Sequence, residues 1–477
     1  MPRETHKRAT LKCQSTDAAH SGGAMRSSAD VPVIGAKQRH GPARSASEEQ
    51  PHSREDSTAT IKSFVIPKRL IWEAWKRVAA NQGAPGVDKE SIQSFQKHLG
   101  RNLYTLWNRM SAGSYFPKPV RQVEIPKADG RTRTLGVPTV TDRVAQMVVK
   151  EWIEPGLENV FHSSSFGYRP GRSAHQALAQ ARRHCWRHDW VIDLDISNFF
   201  DTLDHDLLLK AVRKHVPESW IRLYIERWLK CDSETPDGEL ISRTQGTPQG
   251  GVVSPVLANL YLHYTFDAWM QKYHPGVPFE RYADDVICHC RSEGEAQALL
   301  DAIRNRLAQC HLALHPEKTR VVYCKDGRRP GDSAHTQFDF LGFCFRRRSV
   351  QDRNGKLFIG FNPAVSPKAL KHMNLALREL CLHRQIHWNL EQIAARINPM
   401  VQGWVQYFGI FHPLPLERFL ARIDLRLGRW VRRKYKRIRG HKRRSWAWLK
   451  GVRAIFPRLF VHWEYLYLKG QRAGRAV

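Results

Sequence analysis

From Phe64 onward, apolar residues recur at helical spacing. Leu70, Trp72, Trp75 and Val78 return to one side of a helix until the Gly-Ala-Pro-Gly run at 83–86 breaks it. The period then falls to two. Val123 and Ile125 alternate with polar neighbours, Asp129-Gly130 supplies a turn and a second extended run returns, which predicts a hairpin carrying Lys127, Arg131 and Arg133. Helical spacing resumes at about 140–155 and 173–187, the second stretch opening on Ser173 as an N-cap. "WVIDLDISNFF" reads as a strand up to Ile196, with Ile192, Leu194 and Ile196 on one face and Val191, Asp193 and Asp195 on the other. "HDLLLKAVRKHV" is a helix, and after a Gly and Pro cluster at 246–255 so is "SPVLANLYLHYTFDAWM", with Ser254-Pro255 as its start signal. "ERYADDVICHC" reads as two short strands meeting at a tight turn that holds Asp284 and Asp285.

Helices and strands alternate to about residue 345, the pattern of an α+β unit with an antiparallel sheet. From Ser366 the pattern is helical only. Leu370, Met373, Leu377, Leu380 and Cys381 form one stripe, and "NLEQIAARI" carries its own capping signal. Residues 1–60 are rich in Ser, Ala, Arg, His and Gly with almost no large apolar side chains, so they are expected to be a disordered basic tail. Acidic Glu4, Asp17 and Asp30 and the missing apolar face argue against a transit peptide, and no signal-peptide core is present. The expected organisation is a tail at 1–60, an α+β unit at 61–350 and a helical unit at 351–477.

Charge narrows the possible partners. Across 477 residues, 76 Lys and Arg against 45 Asp and Glu leave a net +31, which favours a polyanion, most simply nucleic acid, because each phosphate contact releases counterions. An anionic membrane surface would satisfy the same charge, but no apolar run approaches the length of a spanning helix. Between Pro413 and Val477, 19 Lys and Arg, Arg432 and Arg433 among them, face three acids. Trp430, Trp446, Trp448 and Trp463 are interleaved, which suggests an RNA-binding surface: arginine pairs with phosphate and aromatics stack on unpaired bases. The nine cysteines show no C-x-x-C spacing and the 23 histidines no H-E-x-x-H, so both are expected to be ordinary packed residues rather than metal ligands or disulfides.

If the strand ending at Asp195 lies beside the Asp284-Asp285 hairpin, three carboxylates converge. Like charges that close cost several kcal/mol unless a cation neutralises them. A hard divalent ion with oxygen ligands, most often Mg²⁺, suits such a site. Two ions can clamp an in-line phosphoryl transfer, and the inferred reaction is nucleotidyl transfer.

"YADD" at 282–285, preceded by "DLDISNFFDTLDH", resembles the palm of a reverse transcriptase. "GTPQGGVVSPVLANLYLH", "LALHPEKTR" and "FDFLGF" are similar to the later blocks of that family, in the same order. "QGAPGVD", "IPKADGRTRTLGVPTVTDRVAQ", "FGYRPGRSAHQAL" and "INPMVQGWVQYFGIF" resemble the group II intron reverse transcriptase and maturase lineage. The resemblance covers about 70–465 and implies a right-hand polymerase fold, with fingers and an antiparallel palm followed by an all-α thumb or maturase region that binds intron RNA. It further implies that Asp195 and Asp284 are metal ligands, Asp285 the third acid, and the Ile196 carbonyl part of one coordination sphere, with two Mg²⁺ ions that Mn²⁺ could replace. Phe200 would abut the sugar and exclude a 2′-hydroxyl, and Gln249 would contact nucleotide and template. Lys127 and Arg133 would grip the triphosphate of a deoxynucleoside triphosphate.

Arg169 and Arg172 would touch template backbone, and Lys318 either belongs to a primer grip or decorates a turn. Asp193 is expected to be structural or solvated; Asp201, Asp204 and Asp206 are expected to cap or solvate the following helix. Trp404, Tyr407 and Phe408 would form a helical core whose opposite basic face meets RNA. The expected partners are intron RNA in a ribonucleoprotein and a DNA primer or target, in a bacterial cytoplasm. The paired-Cys endonuclease segment frequent in the lineage does not occur before Val477, so priming from an existing 3′ end is expected over target-strand cutting. Two other readings remain: a maturase that only folds RNA, which an altered acid triad would favour, and a host-recruited enzyme of defence or repair.

Overall fold

A computed structural model describes residues 63–126, 132–351 and 354–466. The tail at 1–60, Lys127 and Arg131 lie outside the described residues. Three sheets organise what is described. In the first, strands β1 (Val120–Pro126) and β2 (Thr132–Val137) form the expected antiparallel hairpin, with Ile125 opposite Arg133. The short strands β4 (Ser233–Glu234) and β5 (Leu240–Ile241) extend its edge.

The second, central sheet has the order β6-β7-β3-β8, in which β3 is Trp190–Asp195, β6 Phe279–Tyr282, β7 Asp285–Cys290 and β8 Arg320–Tyr323. Every pairing in it is antiparallel. The alternation along β3 decides how the layers stack. Ile192, Leu194 and Ile196 enter a core shared with the helices Val140–Glu158, His205–His215, Ser254–Leu262 and Glu293–Gln309. Val191 faces the other way, with Ile287 and Val322, toward the Ala174–Cys185 helix. That second face is closed by a third sheet of order β11-β10-β9, where β9 is Gln337–Phe340, β10 Phe343–Gln351 and β11 Leu357–Val365. Phe338, Phe340, Phe343, Phe345 and Phe361 are buried there, each contributing about 1.5–3 kcal/mol.

Past Val365 the described chain is helical: Pro367–Glu379, Leu390–Phe408, Leu414–Lys434 and Lys442–Ile455. Ser366 caps the first helix and Asn389 opens the second with a capping box. Their core holds Met373, Leu377, Ile393, Ile397, Leu420 and Leu427. It is joined to the third sheet through Phe343, which packs against Tyr407, Phe408 and Phe411, and by Tyr407 Oη donating to the Leu341 carbonyl at 2.9 Å.

Several expectations change. The first helix, Lys68–Ala80, buries Ile71, Ala74, Trp75 and Val78, and leaves Trp72 exposed. Ser173 does cap its helix, with a full capping box, but Ser254 does not cap. It lies inside its helix and bonds Thr247 Oγ1 at 2.8 Å, and Pro255 in the first turn is the start signal that holds. Cys381 falls beyond its helix with φ 44°. The boundary expected at 350 falls inside the β10–β11 hairpin, so the helical segment starts at Ser366 rather than 351. Trp430 and Trp463 are fully buried, their indole N–H groups bonded to Gln385 O and Asp424 Oδ1. They are core and not stacking platforms; Trp446 is the one of the four tryptophans that is exposed. Among the described residues, no helix is long and apolar enough to cross a membrane. The eight described cysteines are unpaired, seven of them buried.

Candidate active site

The β6–β7 hairpin closes between Tyr282 and Asp285, leaving Ala283 and Asp284 as its two turn residues. Ala283 is left-handed (φ 59°), as a tight hairpin turn requires. What holds an alanine there is Arg281, whose guanidinium is fully buried. Its Nε and Nη2 donate to the Asp267 carboxylate at 2.7 and 2.5 Å, and Nη1 donates to Asn259 Oδ1 at 2.9 Å and to the Ala283 carbonyl at 3.1 Å. Asn259 in turn donates to the Gly167 carbonyl at 2.7 Å. A Cβ on Gly167 would lie 2.4 Å from the Ala283 nitrogen, so "FGY" can rest on the turn only with glycine in its middle.

The pairing of β3 with β7 sets Asp195 opposite Asp285. Asp193, Asp195, Asp284 and Asp285 line one groove of ≈ 610 Å³, joined by Asp339 of β9 and faced by Lys318, Lys368 and His372. Burial raises the Asp285 carboxyl well above the usual range, with Asp193 and Asp284 adding. Asp193 is pushed up to about 7 by burial, then by Asp195 and Asp339. Burial also raises Asp284, and Asp195 adds to it. Crowded oxygen donors whose ionisation is opposed suit a hard divalent cation. Lys318 Nζ lies 3.1 and 3.2 Å from the two carboxylate oxygens of Asp195, so its partner is that acid and not a turn. Asp193, expected to be structural or solvated, lines the groove. Asp339 went unnoticed, although the alternation of "FDF", with Phe338 and Phe340 in the core, turns it away from them. Ile196 also lines the groove, bridged to Leu314.

A second set of residues meets beside the β1–β2 hairpin. Arg133 Nε donates to Gln249 Oε1 at 2.6 Å, and Gln249 Nε2 donates to Asp201 Oδ2 at 3.2 Å. Asp201 therefore ties down Gln249, whereas Asp204 caps the following helix as expected, accepting from Leu207 N at 2.8 Å. Gly250 has φ 125°, and a Cβ there would sit 2.4 Å from the Gly136 carbonyl, so the Pro-Gln-Gly turn lies directly against β2. Phe200 is buried against Phe199, and its carbonyl accepts from Thr247 N at 2.7 Å. Tyr168 was not anticipated. It is half exposed and left-handed (φ 57°), and burial raises its phenol, with Asp284 adding and Arg133 opposing.

The basic residues divide. Arg169 is buried and fully engaged: it pairs with Glu158 and donates to the carbonyls of His162 and Ser165, each at 2.8 Å. It clamps a loop and is not free for template backbone, a correction to the expected role. Arg172 and Arg433 are exposed, while Arg432 donates to Ser445 Oγ at 3.0 Å between two helices. Lys127 lies outside the described residues.

Residues 125–345 match the family model described as reverse transcriptase (RNA-dependent DNA polymerase), and 370–448 match that of the group II intron, maturase-specific domain. Protein YkfC of Escherichia coli (strain K12) is 31% identical over 326 residues, which cover 60% of this chain and 83% of YkfC. Group II intron-encoded protein LtrA of Lactococcus lactis subsp. cremoris is 30% identical over 203 residues, 42% of this chain and 33% of LtrA. The putative COX1/OXI3 intron 1 protein of Saccharomyces cerevisiae is 26% identical over 223 residues, 46% of this chain and 26% of that protein. The matched segments thus span about a third or less of the two intron-encoded relatives.

Proposed function

We propose, for a chain that belongs to the group II intron reverse transcriptase and maturase family, that it extends a DNA primer along an RNA template at the Asp195, Asp284 and Asp285 groove, and that it binds intron RNA to assist splicing. The observation that carries the polymerase reading is the pairing of Asp195 with Asp285 across β3 and β7, with Asp284 on the adjoining turn. In this reading β1–β2 is the fingers hairpin, the central sheet the palm, and the helices after Ser366 the thumb and maturase region.

Asp195, Asp284 and the Ile196 carbonyl would hold divalent ions, two of Mg²⁺ by analogy with other polymerases, and Asp285 would complete the acidic floor. The chemistry such ions would supply there is a lowered pKa for an attacking 3′-hydroxyl and charge balance for the triphosphate. The chain's own residues do the positioning. Arg133 would supply fixed positive charge for the triphosphate, the role also expected of Lys127, which lies outside the described residues. Gln249, its amide held between Arg133 and Asp201, would contact the incoming nucleotide. Phe200 is buried against Phe199, a bulky ring whose place suits exclusion of a 2′-hydroxyl and a DNA product. Lys318 would release Asp195 when cations enter, and is then free to meet primer phosphate. Arg172 and Arg433 are exposed cations for the nucleic-acid backbone, and Arg432 fixes the helix pair that carries Arg433. Copying the intron into DNA during retrotransposition, in a bacterial cytoplasmic ribonucleoprotein, is the setting that fits this chemistry.

The test is incorporation on an annealed RNA template and DNA primer with Mg²⁺. Deoxynucleotides should be added and ribonucleotides refused, and Phe200→Ala should relax that choice. Absence of template-dependent addition by the folded protein would overturn the proposal.

A further inference from the structure

A second polar cluster sits at the opposite end of the β6–β7 hairpin from its turn. Glu280 of β6 and His289 of β7 are fully buried, at 0% and 1% exposure. One oxygen of the Glu280 carboxylate lies 2.6 Å from His289 Nε2, and the other lies 2.6 Å from Nδ1 of His184, in the last turn of the Ala174–Cys185 helix. All three ligand atoms fall within 4.8 Å of one another. His188, one turn beyond His184, sets its ring 6.1 Å from those of both His184 and His289. Its Nδ1 is 3.1 Å from the His184 carbonyl. That bond assigns the proton to Nδ1 and leaves a lone pair on Nε2, the tautomer that ligates metals.

We infer that His184, His289 and Glu280 form a structural site for a divalent transition-metal ion of the zinc class, with the neighbouring His188 ring as an outer residue beside it. Two imidazoles with one carboxylate are donors zinc takes, whereas Mg²⁺ and Ca²⁺ prefer oxygen alone. A carboxylate hydrogen-bonded to two imidazoles would also satisfy these groups, and it is the competing explanation. The convergence favours the ion: three elements direct ring nitrogens and a carboxylate to one buried point. The ion would take the place of the protons now shared between the rings and Glu280. His289 Nδ1 then faces Cys185 Sγ at 4.0 Å, a weak outer partner that fixes the ring. The expected effect is mechanical. The ion would tie the helix that follows "FGYRPGRS" to the hairpin that carries Asp284, without touching the acidic groove, and the inference stands whether or not the chain polymerises.

The experiment is metal analysis of the untagged full chain after dialysis against chelating resin. About one zinc per chain should remain, and Co²⁺ substitution should give the visible absorption of a four-coordinate site. His289→Gln and Glu280→Gln should lose both signals, His188→Ala should bind about tenfold more weakly, and strong chelators should lower the melting temperature of the wild type alone. If the substituted chains do not fold, X-ray absorption of the wild type decides, with a nitrogen and oxygen shell of at least two imidazoles expected. Zinc well below one equivalent, retention of zinc by His289→Gln, or a sulfur-containing shell would each overturn the assignment and leave a hydrogen-bonded cluster.

Discussion

Replacing Arg281 with methionine removes the guanidinium that holds both the Asp267 carboxylate and the Ala283 carbonyl. Both partners of the ion pair are at 0% exposure, so Asp267 keeps only the distant His263 Nδ1, 4.0 Å away, in place of its guanidinium, a loss of about 3–5 kcal/mol. Adding Asp267→Leu removes the stranded charge. The double variant should then regain all but about 1–2 kcal/mol, the cost of leaving Asn259 Oδ1 and the Ala283 carbonyl without their donor. Urea unfolding followed by tryptophan fluorescence measures this part. Primer extension measures the other: it should stay lost in the double variant, because the turn bearing Asp284 has lost its anchor even though the fold has recovered. A single variant that costs under about 1 kcal/mol would refute the buried pair. Activity that returns together with stability would refute the positioning role.

The acidic groove makes stability depend on pH. Asp193 titrates at about 7 in the folded chain and Asp285 is raised well above its ordinary value, against about 3.9 for an unfolded carboxylate. The native state therefore binds more protons, so stability without divalent ions falls as pH rises from about 4 to 7. For Asp193 the upper bound is about 4 kcal/mol, and solvent in the groove reduces the expectation to about 2. Thermal unfolding with and without Mg²⁺ should show the ion stabilising more at pH 8 than at pH 5, with Asp193→Asn flattening the metal-free profile; equal stabilisation at both would contradict the crowding. Gly167→Ala should cut extension about a hundredfold with unchanged circular dichroism, because its Cβ displaces the turn, while Gly156→Ala, with nothing within 4 Å, should be neutral. Arg169→Met should destabilise by about 2–3 kcal/mol and leave the salt dependence of RNA binding unchanged. Arg433→Ala should do the reverse, lowering the salt slope by about one.

Most of the candidate site was legible because its geometry follows from period-two alternation. Asp195 had to share a face with Asp193 and Val191, and once β3 pairs with β7 the acids must meet. Those positions could also be carried over from family motifs in which backbone and chemistry coincide. Arg281 was in plain view in "RYADD", but its role depends on Asp267 and Asn259, 14 and 22 residues away along the chain, and no local pattern announces a buried pair. Arg169 misled for the complementary reason: charge in a motif predicts a cation, and only packing reveals that Glu158 has already claimed it. Trp430 and Trp463 of the basic segment misled in the same way, since composition counts aromatics without telling which side of a helix they take. The His184, Glu280 and His289 cluster has no sequence spacing to find, because its donors come from three separate elements.

One comparison bears most directly on the carboxylate groove as a polymerase centre: primer extension on an RNA template in Mg²⁺, wild type beside Asp284→Ala, with splicing of the cognate intron RNA followed in the same preparations. Extension should vanish in Asp284→Ala while splicing and circular dichroism persist. Template copying that survives the substitution would contradict the assignment.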